Sequence, residues 1–393
     1  MTANRERALI VIPVVMASAC VAQAFGRFTW GAVLPDARDD LLGGSNTVAG
    51  FLGTLNVTAY LLGTLLVSWA ATKVTLVGLM RIGLVISTAS IGVAAIAPNG
   101  LVLGAALFAM GIGGAIIWIP SPALAARTMP PERAGMAVGL VGSGIGLGIL
   151  FAGQLAAALG RHTDDTHRWQ TQYRIELAIA LVVLATAFAV LRSRGDRPAT
   201  GGGFGGFAAL RTVDGWVPLT VGYAAYGFSY ILVFAYLVAR LTDDAGLSSE
   251  AASNMFSVMG GASVLGGLTL GPISDRLGRR LCLTAGFGVL GASALLALVG
   301  RQPWATIAAI GTGLMFSGLP ALIIAHIVDH TDASTYGPAF SAATLAFGVM
   351  QMLSPQIGGA IADATGSFTL VFVASAAFAL VGAAASSRLG KQR

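Results

Sequence analysis

The chain has 393 residues, of which 55% are apolar and only 10% charged, at a mean hydropathy of +0.79. A soluble domain carries about 25% charged residues, so a soluble enzyme or binding module is excluded and a membrane protein is expected throughout. The formal net charge of +6 rests on 21 Arg and 2 Lys spread over short loops, which speaks for membrane topology and against nucleic acid.

The N-terminus carries Arg5 and Arg7 ahead of an apolar run through ASAC, residues 17–20, an imitation of a signal peptide. The run continues beyond Cys20 to Leu34, so the first span is expected to stay uncleaved. Twelve segments are long and apolar enough to cross a membrane core of about 30 Å. They cover residues 8–35, 47–70, 75–97, 101–126, 134–159 and 173–191, then 216–240, 252–273, 281–300, 304–328, 337–361 and 367–387. Between the sixth and seventh, RSRGDRPATGGGFGGFAALRTVDG is charged and Gly-rich and reads as a flexible linker. Its GGGFGG run is no phosphate cradle, because no strand and helix flank it. The expected organisation is an N-terminal six-helix bundle at 1–192, a cytoplasmic linker at 193–215 and a C-terminal six-helix bundle at 216–393. Cys20 and Cys282 lie inside apolar runs and imply no disulfide.

Placing the N-terminus in the cytoplasm leaves 16 Lys and Arg residues on that side and six outside: Arg38, Arg161, Arg168, Arg174, Arg240 and Arg301. That asymmetry puts both termini in the cytoplasm. Arg27 belongs to neither set. The halves also resemble each other. Gly111-Ile-Gly113 before Pro120 answers Gly311-Thr-Gly313 before Pro320, an offset of 200. Ala24-Phe-Gly26 answers Ala225-Tyr-Gly227 at 201, and Gly153-Gln154-Leu155 answers Pro355-Gln356-Ile357 at 202. Three matches in order at nearly one spacing argue a duplicated six-helix unit. Because six is even, both copies share one orientation, and a solute site is expected between them near the midplane.

GPISDRLGRR, residues 271–280, lies in the loop between the eighth and ninth spans. It resembles the cytoplasmic loop motif G-x-x-x-D-R-x-G-R-R of the major facilitator superfamily. The resemblance covers the whole chain and implies an all-α membrane fold of twelve transmembrane helices in two pseudo-symmetric six-helix bundles. Gly271 would permit close helix contact and Asp275 would face a helix N-terminus, with Arg276, Gly278, Arg279 and Arg280 completing a gating loop. The first-half copy is missing: Ala71 and Thr72 stand at the Asp-Arg positions, with Lys73 the only charge. GIGGA, 111–115, lacks the family's arginine, Leu107 standing there, and GSGIGLG, 142–148, lacks the Gly-Pro pair of the antiporter group, which counts against proton–drug antiport. AFGRFTWGAVLP, 24–35, resembles the YbfB/YjiJ-type branch with its GRF-x-(Y/W)-G-x-x-x-P pattern, and implies a membrane transporter without naming a substrate.

Arg27 is the residue that needs explaining, since a lone arginine in hydrocarbon costs about 2.5–3.5 kcal/mol or more. α-Helical spacing would set Met16, Cys20, Gln23, Arg27 and Trp30 on one face, with Arg27 about 27 Å beyond Leu9, towards the external side. Two uses fit: a fork of donors for an anion, or a structural arginine bonded to backbone carbonyls. No acid is expected mid-span, since Asp36, Glu176 and Asp363 fall near external ends and Asp329 near an internal one. A central cation without a central acid suits an anionic substrate. Tyr223, Tyr226 and Tyr230 share a face of span 7, lining a cavity or packing between helices. Asn56 and Tyr60 on span 2, Gln154 on span 5, and Gln351 and Gln356 on span 11 are further polar candidates, and Trp118 on span 4 an aromatic one. His326, beside Asp329 and His330, is the candidate proton site, although such a group also ends a helix at the cytoplasm. RHTDDTH, 161–167, carries metal-ligand residue types but reads as a solvated loop, so no metal is expected.

The expected function is secondary active transport by alternating access of a small organic anion, monocarboxylate-like, with proton coupling. The alternative within transport is efflux of amphipathic compounds or drugs. An intramembrane enzyme would need a nucleophile, acid or metal cluster at membrane depth, and none is seen, so no catalytic residue is assigned. The expected partners are a small-molecule substrate and the lipid bilayer, with no cofactor and no nucleic acid, in a monomer. The expected location is a bacterial inner (plasma) membrane.

Overall fold

The computed structural model describes residues 2–70, 73–129, 134–162, 165–192, 206–332 and 335–390. Among them, twelve helices are long and apolar enough to cross a membrane. They are α1 (Leu9–Leu41), α2 (Asn46–Val67), α3 (Leu76–Ala94), α4 (Gly100–Ala126), α5 (Met136–His162), α6 (Arg168–Val190), α7 (Trp216–Asp244), α8 (Ser249–Leu277), α9 (Arg279–Ala297), α10 (Trp304–Asp329), α11 (Tyr336–Thr365) and α12 (Thr369–Ser386). Short polar residues start several of them. Thr75, Asn99 and Ser248 each accept a bond from a backbone N–H of the first turn, of Gly78, Val102 and Ala251. Of the expected linker, 193–205 lies outside the described residues, and Phe207–Leu210 forms a single helical turn.

Packing repeats between the halves. In the first, α1 packs on α5 and α6, α2 on α4, and α3 on α4 and α6. In the second, α7 packs on α11 and α12, α8 on α10, and α9 on α10 and α12. With lipid as apolar as leucine, close backbone contact holds such helices together. The glycine pairs of the sequence repeat make that contact: a Cβ on Gly111 would lie 2.1 Å from the Asn56 carbonyl oxygen of α2, and one on Gly313 would lie 2.1 Å from that of Met259 in α8. The two bundles then meet along α2–α11, α5–α8 and α1–α7.

Several helices, α1, α6 and α7 among them, run further than expected at the end of the molecule opposite the termini, called the far end below. α1 continues to Leu41, α6 begins at Arg168, and α7 reaches Asp244. Charged residues are tolerated in these extensions because they pair with one another. Arg168 Nε and Nη2 clasp the Asp36 carboxylate at 2.7 and 2.5 Å. The Trp169 indole and His167 meet Asp40 at 2.8 and 3.0 Å. Other pairs cross between the bundles: Arg38 to Asp243 at 2.5 Å, and Arg161 to Glu250 at 2.5 Å. Asp363 of α11 accepts from the backbone of Asn46 and Thr47 at 2.9 and 2.7 Å, capping the N-terminus of α2 across the seam. The far end is thus closed by polar bonds.

Candidate functional site

Arg27 is carried by a π-helical stretch, Cys20–Phe28, in the middle of α1. π-Helical turns take more residues than α turns, so the single face expected from α spacing is split. Met16 and Cys20 lie against Gly144 and Gly148 of α5, whereas Gln23 and Arg27 turn towards α2 and α4. Because the helix runs to Leu41, Arg27 stands about midway along it rather than towards the external side. Asn56 fixes the stretch in place: its Nδ2 donates to the carbonyls of Gly26 at 3.0 Å and Leu107 at 2.7 Å, tying α1, α2 and α4 together.

The arginine is only partly satisfied. Its Nη1 donates to Gln23 Oε1 at 3.0 Å, and Gln23 Nε2 in turn donates to the Gly114 carbonyl at 3.2 Å. The guanidinium carbon sits 4.2 Å from the centre of the Tyr60 ring, a cation–π contact. Nε and Nη2 are buried and have no protein partner. That is the same edge with which Arg168 clasps Asp36. Beside Arg27 a cavity of about 30 Å³ lies between the bundles, lined by Phe28, Trp30, Gly53, Asn56 and, from the other half, Ile231, Phe234 and Pro355. The Trp30 indole nitrogen is also buried without a partner.

Across the seam, Tyr223, Tyr226 and Tyr230 share one face of α7 and form a near-parallel stack with Phe347 of α11. Tyr226–Tyr230 centroids are 4.7 Å apart and Tyr223–Phe347 centroids 4.6 Å. All three tyrosines are buried, and two hydroxyls are engaged: Tyr226 donates to the Phe316 carbonyl at 2.6 Å, and Gln351 bonds Tyr230. Phe28 joins this wall, 5.1 Å from Phe234 and 5.2 Å from Phe316. Phe234, Phe316 and Phe347 were absent from the sequence candidates. Phe234 continues the Tyr223, Tyr226, Tyr230 register by one more turn, which is the signal that could have found it.

Other candidates lie elsewhere. Gln154 is exposed at the α5–α8 seam and donates to Asn254 at 3.2 Å. Trp118 packs on the core where α4 breaks before Pro120. His326 is buried in the last turn of α10, 3.2 Å from the Asp214 carbonyl, its ring tilted against that of His330 with centroids 4.4 Å apart. In the loop motif, a Cβ on Gly271 would meet nothing within 4 Å, so the expected close helix contact there is not made. Asp275 makes no bond to a helix N-terminus among the described residues: it is largely exposed and pairs with Arg279 at 2.6 Å, which also bonds Asp329 at 3.0 Å, the Gly271 carbonyl at 3.4 Å and Ser274. Gly278 turns the chain between α8 and α9 at φ +89°, and Arg276 is exposed beside it. Glu176 also departs from expectation. It lies eight residues inside α6 and is fully buried, so an acid does sit within a span.

Over residues 19–387 the chain matches the protein family described as uncharacterised MFS-type transporter YbfB. It is 23% identical over 308 residues to the uncharacterized MFS-type transporter YfhI of Bacillus subtilis (strain 168), a match covering 77% of this chain and 74% of that one. A crystal structure of a bacterial homologue of the human lysosomal transporter Spinster, inward-facing and unoccupied, superposes with a TM-score of 0.80 at 15% identity, covering 97% of this chain and 96% of the other. A D-xylose–proton symporter gives 0.76 at 14% identity, covering 97% and 98%. At these identities the structural likeness speaks for the fold alone.

Proposed function

The chain belongs to the YbfB-type family of MFS transporters and is a multi-pass membrane protein that moves a solute by secondary transport; we propose that the solute is a small organic anion, monocarboxylate-like, bound at Arg27. The observation that carries this reading is the free Nε–Nη2 edge of the half-buried Arg27, both nitrogens buried and with no carboxylate paired to them among the described residues. Two parallel N–H donors match the two oxygens of a carboxylate. A buried cation left without an anion is costly, and a bound carboxylate removes that cost. The Tyr60 ring under the cation and the Phe28, Phe234 and Phe316 rings beside it offer an apolar wall for the rest of the solute.

Solute binding requires the bundles to move. The cavity at Arg27 has about 30 Å³, room for a water and not for a carboxylate. With the termini in the cytoplasm, as the distribution of Lys and Arg favours, the closed far end is the external side, and the location is a bacterial inner membrane. The protein then acts as a monomer, its two bundles rocking about the site.

The test is uptake of labelled acetate, lactate and benzoate into proteoliposomes, alongside thermal unfolding in detergent with the same acids. Arg27→Gln should abolish saturable uptake and carboxylate-dependent stabilisation. Retention of both by that variant would overturn the anion assignment.

A further inference from the structure

Glu176 has a setting unlike that of the other described acids. Its side chain is fully buried, eight residues into α6. Thr29 of α1 donates to Oε1 at 2.7 Å and Gln172 Nε2 approaches the same oxygen at 3.3 Å, while Oε2 is buried without a partner. No cation is paired with it among the described residues. α5 contributes only the Ala152 carbonyl, which accepts from Gln172 at 3.1 Å, and its own titratable residues, Arg161 and His162, lie at its far end. The one charged residue of α3, Arg81, bonds the Phe188 and Leu191 carbonyls at the opposite end of α6. The titratable neighbours are the Cys20 thiol of α1 and the Tyr173 phenol of α6. An ionised carboxylate is costly in such a place, and neutralisation by a proton is the cheapest remedy.

Two further features connect the group to water and to the solute site. Gln172 also lines a cavity of about 10 Å³, about one water in size, shared with the polar Asp36, Arg168, Thr242 and Ser249 and with apolar side chains such as Leu159 and Val238. Gln172, which bonds Glu176, thus also borders a water-sized space that reaches towards the far end. Thr29, which holds Oε1, lies two residues beyond Arg27 on the same helix, so a shift of α1 at the solute site is felt at the carboxyl.

We propose that Glu176 is a proton-binding site of the transport cycle, loaded by water entering from the far end beside Gln172 and latched by Thr29 to the helix that carries Arg27. The step is reversible protonation alone: the carboxylate takes a proton from water and returns it. The inference rests on the chain being a secondary transporter and not on the anion assigned to Arg27. Its sign follows from linkage. The arrangement that encloses the carboxyl without a cation binds the proton best, so acid favours far-end closure and alkali favours opening.

Two measurements without solute test this, in a Cys20→Ala, Cys282→Ala background. Infrared spectra of the reconstituted protein should show a protonated-carboxyl band that disappears on going from acid to alkaline buffer and is absent from Glu176→Gln. Spin labels on Thr166→Cys and Ala364→Cys, exposed residues of opposite bundles at the far end, should report a closed-to-open population ratio that falls by up to about tenfold per pH unit. Glu176→Gln should stay closed at every pH, and Thr29→Val should shift the pH of opening. A band that persists in Glu176→Gln, or a pH response of the label distances identical in that variant, would overturn the proposal whatever the solute proves to be.

Discussion

Arg38 of α1 and Asp243 of α7 form a 2.5 Å ion pair across the seam between the bundles, and Arg38 is further held by Asp39 at 2.7 Å and Asn46 at 2.9 Å. The arginine side chain is 8% exposed and the aspartate 30%, so water screens the pair only in part. It joins the two bundles, so far-end opening would have to break it, unlike the Asp36–Arg168 pair, which lies within one bundle.

Asp243→Asn should therefore shift the conformational balance without unfolding the protein. A partly buried charged hydrogen bond contributes about 1–2 kcal/mol, which converts to about a tenfold rise in the far-end-open population. Spin-label distances across the far end check this. An unchanged distribution would remove the pair from the gate.

Gly359 offers a steric version of the same test. A Cβ there would lie 2.0 Å from the Asn46 carbonyl oxygen across the α2–α11 seam, with backbone that has nowhere to go. Gly359→Ala should hold the far end open and slow transport severely, while Gly271→Ala, with nothing within 4 Å, should leave both as they are. The measurement is the same distance distribution together with uptake rate.

The twelve helices, the duplication and the family were legible in the sequence because each rests on a pattern that backbone chemistry enforces: apolar length, a repeated Gly-x-Gly, a loop motif. Arg27 was legible because a charge in an apolar run has few explanations. Glu176 was misplaced because the sixth span was expected to begin only at residue 173, which leaves Glu176 in its first turn, whereas the helix starts at Arg168. Only the tertiary pairing of Arg168 with Asp36 reveals that it does. The π-helical stretch was missed for a related reason, since residue spacing assumes α geometry and nothing in CVAQAFGRF announces a wider turn. Gln154 was selected for being polar within a span, and whether such an amide faces a cavity or a seam is decided by the neighbouring helix.

Asn56 now has a structural assignment, and its loss should be felt in stability. Asn56→Ala removes two buried bonds that tie three helices together, each contributing about 0.5–1.5 kcal/mol. Thermal unfolding in detergent should fall by several degrees. A variant as stable as the wild type would mean that the bonds are replaced, and the π-helical stretch would then need another anchor.

In the loop motif the charges divide unequally. The Asp275 side chain is 61% exposed, while Arg279 keeps Asp329, Ser274 and the Gly271 carbonyl without it. Asp275→Asn should thus cost less than about 1 kcal/mol and leave transport near normal. Arg279→Ala removes the hub and should lower both stability and rate. Equal losses in the two variants would show that Asp275 acts in a conformation other than this one.

Charge and aromatic support are separable at Arg27. The Tyr60 ring lies flat enough under the guanidinium for its centre to be 4.2 Å from the central carbon, and a desolvated contact of this kind contributes about 0.5–2 kcal/mol. It holds the plane of the cation, and with it the direction of the free Nε–Nη2 edge. Tyr60→Phe keeps the ring and should bind carboxylates nearly as well as the wild type. Tyr60→Leu fills similar space without the ring's quadrupole, and its affinity should fall by about threefold to thirtyfold. In an Arg27→Gln background the same Tyr60→Leu change should make no further difference, because the residues act through one contact. Carboxylate-dependent thermal stabilisation of the four proteins measures the coupling directly. If Tyr60→Leu weakens binding as much without Arg27 as with it, the ring touches the solute itself, and the arginine is held by Gln23 alone.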